Sequence, residues 1–231
     1  MPIPYVIGLI PDGNRRWARK HRLSFAEAYD MGIQKFISFA EWCKDYGIKN
    51  ITVWSFSTEN FKRTAVERHM LFSLYQRVFS DRAIINRLHE NKTRFKAIGE
   101  MWRLPKALQK TLNGVEKETR HYKDRVINML IAYGGRDDIL HAAKAAAEKY
   151  AELRRLRLSQ NSLKSLMMSS NVPDIDLIIR TSGEERLSGF MPWQSAYSEL
   201  YFSKKLWPDF TKQDLHNAVL EYGRRQRRFG R

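Results

Sequence analysis

The sequence predicts an α/β protein: a single domain over residues 1–231, built on a largely parallel sheet surrounded by helices. Short apolar runs alternate with helix-periodic runs along the 231-residue chain. The short runs are close to continuously apolar, as strands buried on both faces are. No Gly/Ser-rich or Pro-rich linker and no internal repeat separates them. The apolar fraction of 43% and the charged fraction of 29% fit a packed protein rather than a disordered one. A chain of this size buries roughly 70% of its unfolded surface, so its core needs no staples. Its one cysteine, Cys43, excludes a disulfide framework and any cysteine-built zinc or iron–sulfur centre.

The elements follow in order. Tyr5 to Ile10 reads as the first strand, and Pro11-Asp12-Gly13 turns from it into a helix start rich in cations. Ile51 to Phe56 is the second strand. Leu71, Leu74, Tyr75 and Val78 then fall at i, i+3, i+4 and i+7, one face of a helix that is either core or the wall of a tunnel. Arg94 to Ile98 and Val126 to Tyr133 are the third and fourth strands. Tyr133-Gly134-Gly135-Arg136 reads as a tight turn or as a functional loop, and Ile139 to Leu156 as an Ala-rich helix with Arg154-Arg155-Leu156-Arg157 as its solvated end. Ile175 to Ile179 is the fifth strand and Ser198 to Ser203 a weaker sixth. Leu215, Ala218, Val219 and Tyr222 repeat the helical spacing, with Thr211 and Asp214 as a capping box ahead of them.

Charge narrows the function. The chain carries 41 Lys plus Arg against 25 Asp plus Glu, a formal net charge of +16. Such an excess attracts phosphate as nucleic acid, anionic lipid or small phosphorylated substrate, and composition does not choose among them. In open parallel sheets ligands bind beyond the carboxyl ends of the strands, so the loops there carry the information. After the first strand, Asp12-Gly13-Asn14-Arg15-Arg16-Trp17 has the layout of a phosphate site. Helix N–H groups face an anion, Arg15 and Arg16 add charge-assisted bonds, and a divalent cation reconciles Asp12 with phosphate. The bland alternative is an Asp-Gly turn followed by a solvated basic helix face. After the second strand, Ser57-Thr58-Glu59-Asn60-Phe61-Lys62-Arg63 sets polar groups around one aromatic. A Ser57 or Thr58 N-cap accounts for one residue of that set. After the fifth, Arg180-Thr181-Ser182-Gly183-Glu184-Glu185-Arg186-Leu187-Ser188 places two arginines to fork onto a diphosphate, or else to pair with Glu184 and Glu185 at the surface. Glu199, in the aromatic run Trp193 to Phe202, is a second metal-ligand candidate, because a buried carboxylate needs a partner. There is no Walker A string or GxGxxG, and the six histidines show no metal-binding spacing.

Together these strings resemble the signatures of the cis-prenyltransferases, the undecaprenyl diphosphate synthase-like Z-isoprenyl diphosphate synthases. Asp12 to Ala18 is similar to the first signature. Ser57 to Arg63 is similar to the second, with Phe61 where Trp is usual and Thr64 where Pro is usual. Asp176 to Phe202, continued by Leu206-Trp207-Pro208-Asp209-Phe210, is similar to the long carboxyl-terminal one, and Tyr133 to Arg136 and Arg227 to Gly230 also fit. The resemblance implies an apolar substrate tunnel beside the sheet. It implies a homodimer, or a heterodimer, through the later strands and helices. It also implies Mg²⁺-dependent condensation of isopentenyl diphosphate with an allylic prenyl diphosphate, forming cis double bonds. Carried over by position, Asp12 would bind Mg²⁺ with help from Glu199, which the neighbouring subunit could supply. Gly13, Asn14, Arg15 and Arg16 would cradle the allylic diphosphate, with Trp17 over the substrate. Ser57, Glu59, Asn60 and Arg63 would shape the reacting centre, and Arg180, Arg186 and Ser188 would hold isopentenyl diphosphate. Arg228 and Gly230 would reach across the dimer.

Two departures stand out. Phe25 and Tyr29 occupy positions where many family members carry a phosphate-binding Arg and a His. That loss of cation would weaken allylic diphosphate binding, change the allylic substrate, or signal an atypical condensation such as head-to-middle joining or a modified acceptor. A non-catalytic subunit of a heterodimeric prenyltransferase is a further alternative, against which Asp12 is retained. A nucleic-acid partner is not expected, since no zinc finger, RNP-like string or aromatic-interleaved basic ribbon is present. No apolar run approaches a membrane span, and Met1-Pro2-Ile3-Pro4 has no basic region ahead of its apolar stretch. The expected location is cytoplasmic, with peripheral membrane contact open to a long product.

Overall fold

The computed structural model describes residues 2–153 and 158–225. Its centre is one six-stranded, wholly parallel sheet of order β3-β4-β2-β1-β5-β6. The strands are β1 (Val6–Ile10), β2 (Asn50–Ser57), β3 (Thr93–Ile98), β4 (Arg125–Tyr133), β5 (Leu177–Arg180) and β6 (Glu199–Phe202). The helices are α1 (Asn14–His21), α2 (Phe25–Asp45), α3 (Ala65–Ser80), α4 (Arg82–Glu90), α5 (Lys106–Thr119), α6 (Gly135–Leu153), α7 (Gln160–Ser165) and α8 (Lys212–Arg224). All six expected strands form, each within two residues of its expected bounds at either end. The Thr211–Asp214 capping box opens α8, with Thr211 Oγ1 accepting from the Asp214 N–H and the Asp214 carboxylate from the Thr211 N–H.

Burial follows from the pattern that predicted it. All five residues of β1 and all four of β5 are buried, as central parallel strands require. Alternate side chains feed two cores. Ile7, Leu9, Ile51, Val53 and Ile179 face Phe39 of α2, Leu71 of α3, Leu112 of α5 and Leu215 of α8. Val6, Ile10, Leu130 and Ile178 face Phe190, Met191, Val172 and Ile175 on the other side. The weaker sixth strand is only half-buried along its length, because it lies at the sheet edge.

Two features of the sheet position a site. Strand order reverses between β1 and β5, so the loops after these strands open side by side at the carboxyl edge. The register of β2 on β4 also slips between Trp54 and Ser57, and such bulges re-aim side chains at strand ends. The Gly134-Gly135 pair serves packing. A Cβ on Gly135 would lie 2.1 Å from the Pro192 side chain, and the Gly135 N–H donates to the Gly189 carbonyl at 3.0 Å.

Candidate active site

The site begins at the end of β1. Gly13 caps α1 with φ +106°, a left-handed conformation that glycine adopts at little cost, and its N–H donates to Asp12 Oδ1 at 2.7 Å. A Cβ there would lie 2.9 Å from Leu206 Cδ2 and 3.1 Å from Ser182 Cβ. Gly13→Ala is therefore expected to cost about 1–3 kcal/mol through strain and crowding. Urea unfolding measures this, and a loss below a few tenths of a kcal/mol would contradict the geometry.

Three residues clamp Asp12. Thr181 Oγ1 donates to its backbone carbonyl at 2.7 Å, and the Trp207 N–H donates to the same oxygen at 3.1 Å. Arg180, from the end of β5, pairs with Asp12 Oδ2 at 3.0 Å through Nη2. Its Nη1 donates to Ser188 Oγ at 2.9 Å and to the Arg186 carbonyl. The Arg180 side chain is 6% exposed and the Asp12 side chain 37%, so the arginine is held by protein while the carboxylate still meets solvent. Arg180 Nε is buried without a hydrogen-bond partner among the described residues, as is Asn14 Oδ1.

A cavity of about 460 Å³ opens at this point. Asp12, Gly13, Asn14, Arg15, Arg16, Ser57, Glu59, Asn60, Arg63, Arg180 and Ser188 all line it. Four arginines thus face two carboxylates around its mouth, an excess that suits a polyanion. Ser57 and Asn60 occupy each other in a capping box: Ser57 Oγ accepts from the Asn60 N–H at 3.2 Å, and Asn60 Oδ1 accepts from the Ser57 N–H at 3.1 Å. The N-cap reading therefore holds for Ser57, while Glu59 and Arg63 remain on the cavity wall. Arg63 donates to the Tyr29 hydroxyl at 2.9 Å, and the Arg15 guanidinium lies 5.1 Å from the Phe25 ring centroid. The two departures from the family pattern are thus partners of site arginines. Leu74, Tyr75 and Val78 line the cavity too, so the α3 stripe is both core and wall.

Three expected residues stand elsewhere. Trp17 does not line the cavity. It is buried against Ala18, Ala28 and Leu206, and its indole N–H donates to Asp209 Oδ1 at 2.7 Å. Arg186 contributes its carbonyl to Arg180, but its guanidinium pairs with Glu184 at 2.5 Å and is largely exposed. Arg16 shares Glu184 at 3.2 Å and donates to Ser182 Oγ at 2.6 Å. Glu199 starts β6 level with Leu177, at the amino edge of the sheet, whereas Asp12 lies beyond the carboxyl edge. Within one chain it does not join Asp12; it pairs with Arg225 at 2.9 Å. Arg228 and Gly230 lie outside the described residues, as do Arg154 to Arg157.

Among the described residues no group of three or more His, Cys, Asp or Glu gathers to form a metal cage. Asp12 offers an accessible carboxylate paired with Arg180. That donor set suits Mg²⁺, which is commonly held by one or two carboxylates plus substrate phosphates. The inner face of α2 is the part of the site that sequence patterning missed. Tyr29, Ile33, Phe36, Ile37 and Ala40 of α2 form one long wall of the cavity, and their i, i+4, i+7, i+8, i+11 spacing is the signal that marks them.

A parallel sheet with a phosphate-suited, carboxylate-bearing mouth above an apolar cavity defines a prenyl diphosphate-type transferase site. The family described as "Putative undecaprenyl diphosphate synthase" matches residues 10–230, and the chain belongs to it, as a cis-prenyltransferase. It is 41% identical over 231 residues to a tritrans,polycis-undecaprenyl-diphosphate synthase (geranylgeranyl-diphosphate specific) of Methanopyrus kandleri, covering 99% of this chain and 85% of that one. Among solved structures, lavandulyl diphosphate synthase from Lavandula x intermedia in complex with dimethylallyl diphosphate superposes with TM-score 0.93 at 33% identity, covering 99% of each chain. A probable undecaprenyl diphosphate synthase from Campylobacter jejuni gives 0.82 at 31%, covering 100% of each chain.

Proposed function

We propose that the chain is one catalytic domain that condenses isopentenyl diphosphate with an allylic prenyl diphosphate in a Mg²⁺-dependent reaction and builds cis double bonds. One observation carries this reading: Asp12 and Arg180 are paired at the mouth of a cavity walled along most of its depth by apolar side chains. In the reaction the double bond of isopentenyl diphosphate attacks C1 of the allylic partner, pyrophosphate leaves, and a proton is lost. Bound Mg²⁺ would neutralise charge on the departing diphosphate. Asp12 is the residue that would hold it.

The protein's own groups do the rest. The first-turn N–H groups of α1, which have no partners within the helix, and Arg15 and Arg16 would grip the allylic diphosphate. Arg180, with Ser188 fixing one arm of its fork, would bind isopentenyl diphosphate. Glu59, Asn60 and Arg63 would orient the reacting carbons, with the Tyr29 hydroxyl setting the Arg63 guanidinium. The growing chain would lie along α2 and α3, where apolar walls exclude water. These donors are fixed before charge develops, which is where electrostatic stabilisation is most effective. The expected assembly is a homodimer, checked by analytical ultracentrifugation. No helix among the described residues is long and apolar enough to cross a membrane.

The test is direct. Purified protein with Mg²⁺, labelled isopentenyl diphosphate and primers from dimethylallyl to geranylgeranyl diphosphate should release pyrophosphate and yield polyprenyl diphosphates, identified by mass spectrometry. Absence of product with every primer would sink the reading. A branched product from dimethylallyl diphosphate alone would instead assign the atypical condensation.

A further inference from the structure

The loop after β5 holds a backbone conformation that serine does not favour. Ser182 has φ +81°, and Gly183 follows it with φ +74°. Glycine takes the left-handed region at little cost, whereas a serine there is strained. Three bonds to other segments impose the turn. The Thr181 N–H donates to the Ile10 carbonyl at 3.3 Å, the Ser182 N–H to the Lys205 carbonyl at 2.6 Å, and the Gly183 N–H to the Ser203 carbonyl at 2.8 Å. Ser182 is buried against the start of α1, where a Cβ on Gly13 would lie 3.1 Å from its own Cβ. A glycine at 182 would make the same turn without strain. The serine side chain is therefore to be accounted for by what it touches.

It touches Arg16. Ser182 Oγ accepts from Arg16 Nη2 at 2.6 Å, across 166 positions of the chain. Glu184 Oε1 lies 3.2 Å from the same nitrogen, and Glu184 Oε2 pairs with Arg186 at 2.5 Å. Nη1 and Nε of Arg16 make no hydrogen bond among the described residues. One nitrogen of the guanidinium is thus tethered, on a side chain that lines the cavity mouth and is 47% exposed. The two tethers differ in kind. Glu184 brings a negative charge, which repels an incoming phosphate. The Ser182 hydroxyl holds the arginine with no charge of its own, so it gives an anion nothing to repel.

We propose that Ser182 is a positioning residue that sets the Arg16 guanidinium for a diphosphate before one binds. That the diphosphate belongs to the allylic substrate rests on the reading given under the proposed function. A half-exposed arginine samples many rotamers and loses them when it grips a ligand. Here the β5 loop has fixed one end of the guanidinium in advance. The strain at Ser182 is what aiming its hydroxyl at α1 requires. Stability and ligand affinity are therefore opposed at this one position.

Binding without turnover tests this. Wild type and variants are titrated calorimetrically with dimethylallyl and geranylgeranyl diphosphates, with Mg²⁺ and without isopentenyl diphosphate, and each protein is unfolded in urea. Ser182→Ala keeps the strained backbone and removes the hydroxyl. Affinity should fall about three- to tenfold, the worth of immobilising one flexible side chain. Ser182→Gly should lose affinity to the same extent and yet unfold at a higher urea concentration than Ser182→Ala, because glycine relieves the strain. In an Arg16→Ala background either substitution should change affinity by less than about twofold, since its effect runs through that guanidinium. If the alanine form does not fold, the glycine form carries the affinity measurements in both backgrounds. Equal losses with and without Arg16, unchanged affinity in the folded Ser182 variants, a glycine form that unfolds before the alanine form, or no binding by wild type would each overturn the proposal. The expected losses in a protein that forms no product with any primer would leave Ser182 in its role at a diphosphate site and remove only the prenyltransferase reading.

Discussion

Asp12→Asn is expected to lower turnover of labelled isopentenyl diphosphate about a thousandfold, with little change in thermal unfolding. The substitution keeps an oxygen where the Gly13 N–H donates at 2.7 Å and nearly preserves shape. It removes the negative charge that faces Arg180 at 3.0 Å and the donor that suits Mg²⁺. Loss of a group stabilising charge on a departing oxyanion costs about a hundred- to a thousandfold in comparable sites. Losing the metal donor as well places the effect at the upper end. Asp12→Ala goes further, since Arg180 Nη2 is then buried with no acceptor in reach, at about 1–3 kcal/mol of stability. The pair of variants separates chemistry from folding: the asparagine form should melt near wild type and still be inactive. Turnover within threefold of wild type at saturating Mg²⁺ would remove the metal role from Asp12.

The sheet was legible because its strands are buried on both faces. Val6 to Ile10 and Leu177 to Ile179 leave no polar face to blur the reading. Helix α2 was the hard element. One stripe of it, Ala28, Phe39 and Cys43, enters cores, while a second, Ile33, Phe36 and Ile37, faces the cavity. Two apolar stripes on one helix spread the hydrophobic signal around the cylinder and weaken its period. The loops after β1, β2 and β5 were legible as chemistry because their polar strings directly follow apolar strands. Glu199 stands apart from Asp12 within one chain for a geometric reason. In a parallel sheet the first residue of a strand sits at the amino edge, so its carboxylate cannot meet a strand-end site in the same chain. Trp17 shows a different limit. A helix that starts at a ligand site turns each successive side chain by 100°, so Arg15 and Arg16 line the cavity while Trp17 faces inward to Asp209.

Arg180→Ala should damage both folding and turnover, and Arg180→Lys should divide the two effects. The guanidinium serves three oxygens, those of Asp12, Ser188 and the Arg186 carbonyl, from a side chain 6% exposed. Truncation leaves a cavity and strips the partners, an expected loss of about 2–4 kcal/mol read as a lower urea midpoint. Lysine restores the charge and much of the stem, so stability should recover by about half. Its single ammonium cannot reproduce a planar fork that holds Asp12 with one nitrogen and Ser188 with another. The lysine form should therefore keep KM for isopentenyl diphosphate raised at least tenfold, while KM for the allylic primer stays near wild type, because that substrate is assigned to Arg15, Arg16 and the α1 N-terminus. Equal increases in both constants would place Arg180 as a brace for the whole mouth rather than as a ligand to one diphosphate. Recovery of full activity by lysine would show that charge alone is needed there and that the fork geometry is incidental.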